Sequence, residues 1–563
     1  MRSILSVSLL LICSMAWADA SHSVVIAPGV TYLQEITNSP HPLVINLLKI
    51  DMHRRGVKVE CGQADGAVTL AGAASGRETV VQIARREHAL AGVNANFFPF
   101  TGEPIGLAIR NGSLYSLPEG GWPCLGIGPE GARMDSLHFH AEVTLPDGTA
   151  LPITGLDHTL QKNGLTLFTA DYRAETAVSE RTEVFGLKDI TGFPLHSGTK
   201  AAGSIFEIRQ FTKGAGIPPG GEHAVLLAVT GETVQAAMSG LKIGDKLTLR
   251  CSLVPDKPED LSFWQNVQQG VSGGSWLLRD GKIYQNGVKE GFDKTYFVNY
   301  HHPRTAAGIT QNGDLLLLTV DGRVPWSAGV TLDELAAILQ RFGAIEAMNM
   351  DGGGSTTMEV DGEVVNDPSD GEARPVAAAL LVGEANREMA PRMSSDKILA
   401  TGGHPMHLSA GLSPLTLQFD DTEDQGPVLW GTENGGGFVS QDGIFRSITA
   451  GTGNILARKG RLASSLKVKV YAGPVVRIKT LFRSVSIRGA KQLTLQITAL
   501  DEWGNPVPYV HIKVTATGAQ LPDQLITDGN GRTETAVKWN LSGGSSSTIT
   551  LSVNKIQSKI KPP

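Results

Sequence analysis

The stretch "DLLLLTVDGRVPWSAGVTLDELAAILQRFGAIEAMNMDGGGS", residues 314 to 355, limits most strongly what this chain can fold into. Leu315 to Val320 has the length and apolar, β-branched composition of a buried strand. Thr331 and Glu334 stand at capping-box spacing, and Leu332, Leu335, Ile338, Leu339 and Phe342 recur with the helical period behind them. Gly343 supplies the stop, and Ala344 to Met350 is predicted as a second strand. A strand–helix–strand unit normally makes a right-handed crossover between parallel strands of one sheet. Parallel strands end on one edge, so Asp321-Gly322-Arg323 and Asp351-Gly352-Gly353-Gly354 are expected together at the carboxyl rim, where such sheets place ligands.

Upstream, "SGRETVVQIARREHALA" predicts an amphipathic helix over 75 to 91 behind a Ser75/Glu78 capping box, and Asn111-Gly112 predicts a hairpin turn. Beyond residue 390 the pattern becomes alternating apolar and polar with turns such as "SQDGIF" and "TDGNGR", and the helical period disappears. Two β-sandwich modules fit there, roughly 395–472 and 473–563. A chain of 563 residues exceeds what one hydrophobic core supports, so several domains are expected. Gly, at 66 of 563, lies above the roughly 7% average without a collagen period, which means frequent turns.

The net charge of −6 gives no basic excess of the kind a nucleic-acid partner requires. Arg2, the apolar run Ile4 to Ile12 and the small-x-small triplet Ala18-Asp19-Ala20 form a secretory signal peptide over residues 1–20. No later apolar run reaches the ~18 residues of a membrane span, so an exported protein, periplasmic or secreted to the cell surface, is expected. With Cys13 in the signal, Cys61, Cys124 and Cys251 form an odd set; one disulfide is open to them, and small buried hydrophobes are the plainer reading.

Three glycines after Asp351 resemble a phosphate loop, yet the sequel "STTMEVDGEVV" alternates like a strand with a turn at Asp361-Gly362. A nucleotide loop would continue as a helix or end in Gly-Lys-Ser/Thr, so a nucleotide triphosphatase is excluded. What remains is a loop whose N–H groups could form an anion nest, with Ser355 and Thr356 as added donors, or a tight turn needing positive φ. "HHPRTAAGI" offers Arg304, whose planar fork suits phosphate, while His301 and His302 are adjacent and cannot both chelate one ion from an extended chain. Asp321, Asn349, Asp351, Asn366, Asp367 and Asp370, with Arg374 following, could hold Ca²⁺ or another divalent cation, or form an acid/base pair with supporting hydrogen bonds. Trp430 and Trp503 could stack on sugars, though core or corner positions suit them better.

The ordered motifs "VNANFF", "EPIGLAIRNG", "GGSWLLRDGK", "HHPRTAAGI", "LTVDGR", "MNMDGGGSTTM" and "VVNDPSDGEARPVAAALLV" resemble the phosphodiester glycosidase family over about residues 90 to 383. That resemblance implies hydrolysis of a sugar-1-phosphodiester, with N-acetylglucosamine among the candidate sugars, to free sugar and a phosphomonoester on a polysaccharide or other surface glycan. The positions carried over are Asn96, Arg304, Asp321, Arg323, Asn349, Asp351, Gly352, Gly353, Gly354, Ser355, Thr356, Asn366, Asp367 and Arg374. A phosphomonoester is a good leaving group, so the chemistry calls for cationic and N–H stabilisation of the departing phosphate and a carboxylate on the sugar side. Asp351, Asp321 and Arg304 are the expected catalytic residues, the others substrate-binding. The C-terminal modules resemble bacterial immunoglobulin-like domains. The expected fold is therefore an α+β (mixed α/β) domain with a mixed sheet and a β-α-β unit over 91–385, residues 21–90 its N-terminal part, followed by two all-β sandwiches. Two other classes stay open: a metal-dependent phosphodiesterase cutting P–O, and a non-catalytic glycan-binding surface protein.

Overall fold

The structure, a computed structural model, describes residues 19–561 apart from 67–68, 71–75, 100–101, 193–195, 199, 221–224, 385–392, 396, 402–404, 421–425, 434–436, 461, 488–489 and 540–546. Most of the expected signal peptide and Ser75 therefore lie outside the described residues. The chain divides into two compact units at residues 389 and 390.

The first unit is mostly strand. Its central sheet runs in the order Ala20–Ala27, Val30–Thr37, Leu43–Ile50, Leu315–Val320, Arg304–Thr310, Ala344–Asn349, Trp276–Arg279, Lys282–Ile283. Both strands of the expected crossover unit are present, joined by helix Leu332–Arg341 with the Thr331/Glu334 capping box formed. They are not neighbours: Arg304–Thr310 lies between them and pairs antiparallel with each. Two strands antiparallel to a shared third point the same way, so their carboxyl ends still share one rim. Apolar residues of the sheet, Leu316, Leu318, Ala306 and Ala347, pack against Leu332, Leu335, Ala336 and Leu339 of the helix. Each such leucine contributes about 1.5–3 kcal/mol by leaving water, which explains why a ten-residue helix is held where it would be marginal alone.

A second antiparallel sheet places Glu363–Val364, Met358–Val360, Ala91–Asn94, Ala378–Glu384 and Val57–Gln63 side by side. The turn at Asp361-Gly362, both at positive φ, closes its hairpin, and Asn111-Gly112 does the same between Ala108–Arg110 and Ser113–Ser116. Helix Val80–Arg86 covers this sheet through Val80, Ile83 and Ala84. It is shorter than the 75–91 expected, and its capping box uses Thr79 and Gln82, because the Glu78 carboxylate instead receives the Asp65 N–H and Arg86.

A third, larger sheet drawn from residues 108–272 is antiparallel except for the parallel pair Gly155–Leu156 and Leu165–Phe168, and Trp264, Phe185 and Leu227 lie in its core. Helix is thus a minor component, with Leu332–Arg341 the longest among the described residues, where sequence periodicity had pointed to a fuller α+β mixture. Cys61, Cys124 and Cys251 are free and buried, and burial pushes each thiol up to about 12. No helix among the described residues is long and apolar enough to cross a membrane.

The second unit is β throughout its described residues. One core gathers Leu415, Trp430, Phe445, Ile455 and Val468; another gathers Leu495, Ile497, Ile512, Ile549 and Leu551. Trp430 is a core residue, whereas Trp503 sits half-buried in a turn beside Asp501.

Candidate active site

The reason for the bare backbone at 352–354 is visible around it. A β-carbon on Gly353, whose φ is +63°, would sit 3.2 Å from Nη2 of Arg323. One on Gly354 would fall on Arg374 and on the Asp370 carboxylate. On Gly352 it would meet the Pro303 carbonyl at 2.9 Å. The glycines make room for two guanidinium groups and for the chain entering strand Arg304–Thr310. Three N–H groups of the loop already have acceptors: Gly352 donates to the Asp351 carboxylate, Gly353 to Pro303 O and Ser355 to Gly352 O. Those N–H groups are drawn away from the expected anion nest, and the guanidinium groups of Arg323 and Arg374 stand beside the loop.

Asp351 stands between the loop and strand Ala344–Asn349 and is half-buried. Its N–H is held by Ala95 O at 3.0 Å and its carbonyl by Asn94 Nδ2 at 2.6 Å. Burial pushes its carboxyl up to about 6, against the Ser355 hydroxyl, Arg374 and the Gly352 N–H, all of which favour the charged form. Asn94 was not singled out by motif reading, although it stands in "VNANFF"; its Oδ1 also accepts from Thr305 Oγ1 at 2.7 Å and Thr357 N at 3.1 Å. One amide thus ties both sheets to the carboxylate loop. Asn96, the residue the motif suggested, is buried and donates to Ile105 O and Leu107 O, shaping its own turn.

Arg323 is exposed, at φ +63°, with Nη2 3.0 Å from His302 Nδ1 and only a long contact to Ser369 Oγ at 3.5 Å. Because a guanidinium can only donate, His302 Nδ1 accepts, and its Nε2–H points to Tyr296 O at 2.6 Å. Burial, together with Arg304 and Arg323, holds the His302 pKa below its ordinary value, which agrees with a neutral ring. Arg374 is half-exposed, ion-paired with Asp370 at 2.6 Å and 3.4 Å from Ser355 Oγ. Among the described residues neither Arg304 nor Arg323 is ion-paired to a carboxylate.

The remaining expected site residues lie behind this face. Arg304 is 1% exposed, its guanidinium donating to Val330 O at 3.1 Å and Tyr300 O at 3.2 Å and lying over the Phe297 ring. Burial and the Arg323 charge lower its pKa to about 10. It therefore anchors the 297–302 segment that carries His302. Asp321 is sealed from solvent, accepting from Asn366 Nδ2 and Asp367 N, both at 3.0 Å, and burial with the neighbouring Asp367 drives its pKa well above the carboxylate range. Asp367 accepts from Trp326 Nε1 at 3.0 Å and is pushed up to about 7 by burial. Asn366 also bridges to Thr356 O and Met358 N, and Asn349 donates to Gly274 O and Met350 O. Ser355 and Thr356 are buried. Of the oxygens expected to surround a hard cation, those of Asp321 and Asp367 accept from N–H donors and the Asp370 carboxylate pairs with Arg374, whereas Asn349 Oδ1 is buried without a hydrogen-bond partner.

Residues 199–383 match the family described as phosphodiester glycosidase. The chain carries a phosphodiester glycosidase domain. This chain is 38% identical over 110 residues to N-acetylglucosamine-1-phosphodiester alpha-N-acetylglucosaminidase of Bos taurus, covering 18% of this chain and 21% of that protein. It is 32% identical over 123 residues to the SPbeta prophage-derived uncharacterized protein YomE of Bacillus subtilis, covering 22% of this chain and 18% of that one. These matches thus span about a fifth of the length of the curated relatives. A putative exported protein of Burkholderia pseudomallei has a similar fold, with TM-score 0.52 and 18% identity, covering 68% of this chain and all of that one.

Proposed function

We propose that this domain hydrolyses sugar-1-phosphodiesters at the C–O bond, releasing free sugar and a phosphomonoester. The observation that carries the reading is the exposed Arg323 guanidinium, free of any carboxylate ion pair among the described residues, set over Gly353 two residues from the half-buried Asp351. An exposed cation over a side-chain-free strip that begins next to a carboxylate suits a substrate that is anionic at one end and electrophilic at the anomeric carbon. Arg323 and Arg374 hold the departing phosphate, where positive charge aimed at developing negative charge is worth most. Asp351, ionised above its pKa of about 6, acts on the sugar side as base for water or as nucleophile. Arg304 acts through the carbonyls it gathers and the field it adds, Asp321 through Asn366 and Asp367, both as positioning residues. The N-acetylglucosamine phosphodiester named for the Bos taurus relative is the first substrate to try, on an exported protein whose C-terminal immunoglobulin-like modules hold it near a periplasmic or surface glycan.

The test is a panel of α-sugar-1-phosphodiesters, with the purified protein beside its Asp351→Asn variant and with and without chelator. The reading expects a reducing sugar and a phosphomonoester, lost in the variant. Sugar-1-phosphate lost on chelation would replace it with the P–O phosphodiesterase, and binding without turnover across the panel would favour a glycan-binding protein.

A further inference from the structure

A second constellation stands on the same rim, on the helix side of the central sheet. His41 belongs to the turn between strands Val30–Thr37 and Leu43–Ile50, His301 precedes strand Arg304–Thr310, and Glu334 lies in the first turn of helix Leu332–Arg341. Three distant parts of the sequence meet there because strand Leu43–Ile50 ends its pairing beside Val320 and the Pro42 carbonyl accepts the Ala328 N–H. The His41 and His301 rings stack with centroids 4.8 Å apart, and His301 Nε2 lies 3.1 Å from Glu334 Oε2. One ligand atom from each of the three falls within 4.8 Å of the others.

Two features set this cluster apart from an ordinary histidine–glutamate pair. His41 Nε2 is buried with no hydrogen-bond partner, so a ring nitrogen has been taken from water without compensation. The capping bonds from Thr331 N and Oγ1 both fall on Glu334 Oε2, leaving Oε1 available without uncapping the helix. Two imidazoles and one carboxylate with an open side are the donor set of a three-ligand zinc site, softer than the oxygen cage calcium requires.

We propose that His41, His301 and Glu334 bind one divalent transition-metal ion, zinc by ligand chemistry, which braces the 301–304 segment against the helix N-terminus. That segment carries His302, which orients Arg323, and Pro303, whose carbonyl holds the Gly353 N–H. The ion would thus fix the platform on which the candidate active site stands without belonging to its reacting groups.

The experiment uses the untagged full chain, stripped with chelator and desalted, then titrated with Co²⁺ followed by visible absorption and with Zn²⁺ followed by calorimetry. One equivalent is expected, with visible cobalt bands that zinc displaces and a melting temperature that rises with zinc. His41→Ala, in a turn, is expected to bind at least tenfold more weakly, and His301→Ala likewise. Should His301→Ala fail to fold by circular dichroism, His41→Ala decides alone. Absence of stoichiometric binding in the wild type, or unchanged affinity in His41→Ala, overturns the assignment.

Discussion

Two carboxylates end two strands of the same sheet, each followed by glycine, and they have opposite fates. Asp351 faces a strip of glycines flanked by Arg323 and Arg374 and keeps access to solvent. Asp321 is roofed by Asn366, Asp367 and Trp326 and has none. An acid in a sheet rim can thus serve as a reacting group or as the pin that holds the rim together; what decides is whether neighbouring side chains cover it or are deleted to glycine.

Replacing each carboxyl by its amide is the sharpest way to break that comparison. Asp351→Asn removes the sugar-side carboxylate and is expected to lower kcat by about 10³-fold or more with the fold intact, read by steady-state turnover beside circular dichroism. In the wild type the same residue should give kcat/KM an acidic limb, rising as pH passes about 6. Arg323→Ala takes away an exposed cation and should cost about 10²- to 10³-fold, mainly in kcat, while thermal melting moves little. If it raises KM alone, Arg323 binds substrate without stabilising the departing phosphate.

Gly354→Ala adds one methyl where Arg374 and Asp370 already lie, and the displaced guanidinium should reduce turnover about 10²-fold. Asp321→Asn should behave differently: an amide facing two donors loses one hydrogen bond, costing about 1–3 kcal/mol by denaturant titration, while the folded variant keeps turnover within about tenfold of wild type. A loss as deep as that of Asp351→Asn would erase the distinction drawn between the two acids.

The smallest effect is a pH signature of the covered side. The folded pKa of Asp367, about 7, lies above the ordinary 3.8, so this group's contribution to stability is complete below about pH 4 and is lost as pH rises towards 7. Asp367→Asn keeps an acceptor for Trp326 and has no proton to lose. Its urea midpoint relative to wild type should therefore climb between pH 4 and 7 and level off above.

Local chemistry was legible from residues alone wherever it is short-range. Strand Leu315–Val320, the Thr331/Glu334 box, the stop at Gly343 and the turns at Asn111-Gly112 and Asp361-Gly362 follow from periodicity and turn geometry, and they carried the shared rim of Asp321 and Asp351 with them. The strand Arg304–Thr310 between the crossover partners could not be read, because insertion depends on long-range pairing. Burial was hidden for the same reason: Asp321, Asn366, Arg304 and Asn96 are polar residues in rim-like motifs, and only the folded neighbours show that their polar atoms are turned inward. The three glycines suggested donors to an anion, when their use is to leave space for arginines that lie 30 residues before them and 20 after in the chain, roughly, at positions 323 and 374. Asn94, Thr305 and Thr357 meet across two sheets, a triad no spacing rule connects.

Hydrolysis of a sugar-1-phosphodiester in ¹⁸O-labelled water tests the central claim most directly. If Asp351 directs water or acts as nucleophile at the anomeric carbon while Arg323 and Arg374 release phosphate, the label enters the free sugar and the phosphomonoester stays unlabelled. Label in the phosphate, with the sugar released unlabelled, would mean that the P–O bond breaks and that the glycine strip with its two arginines does something other than assist a leaving phosphate.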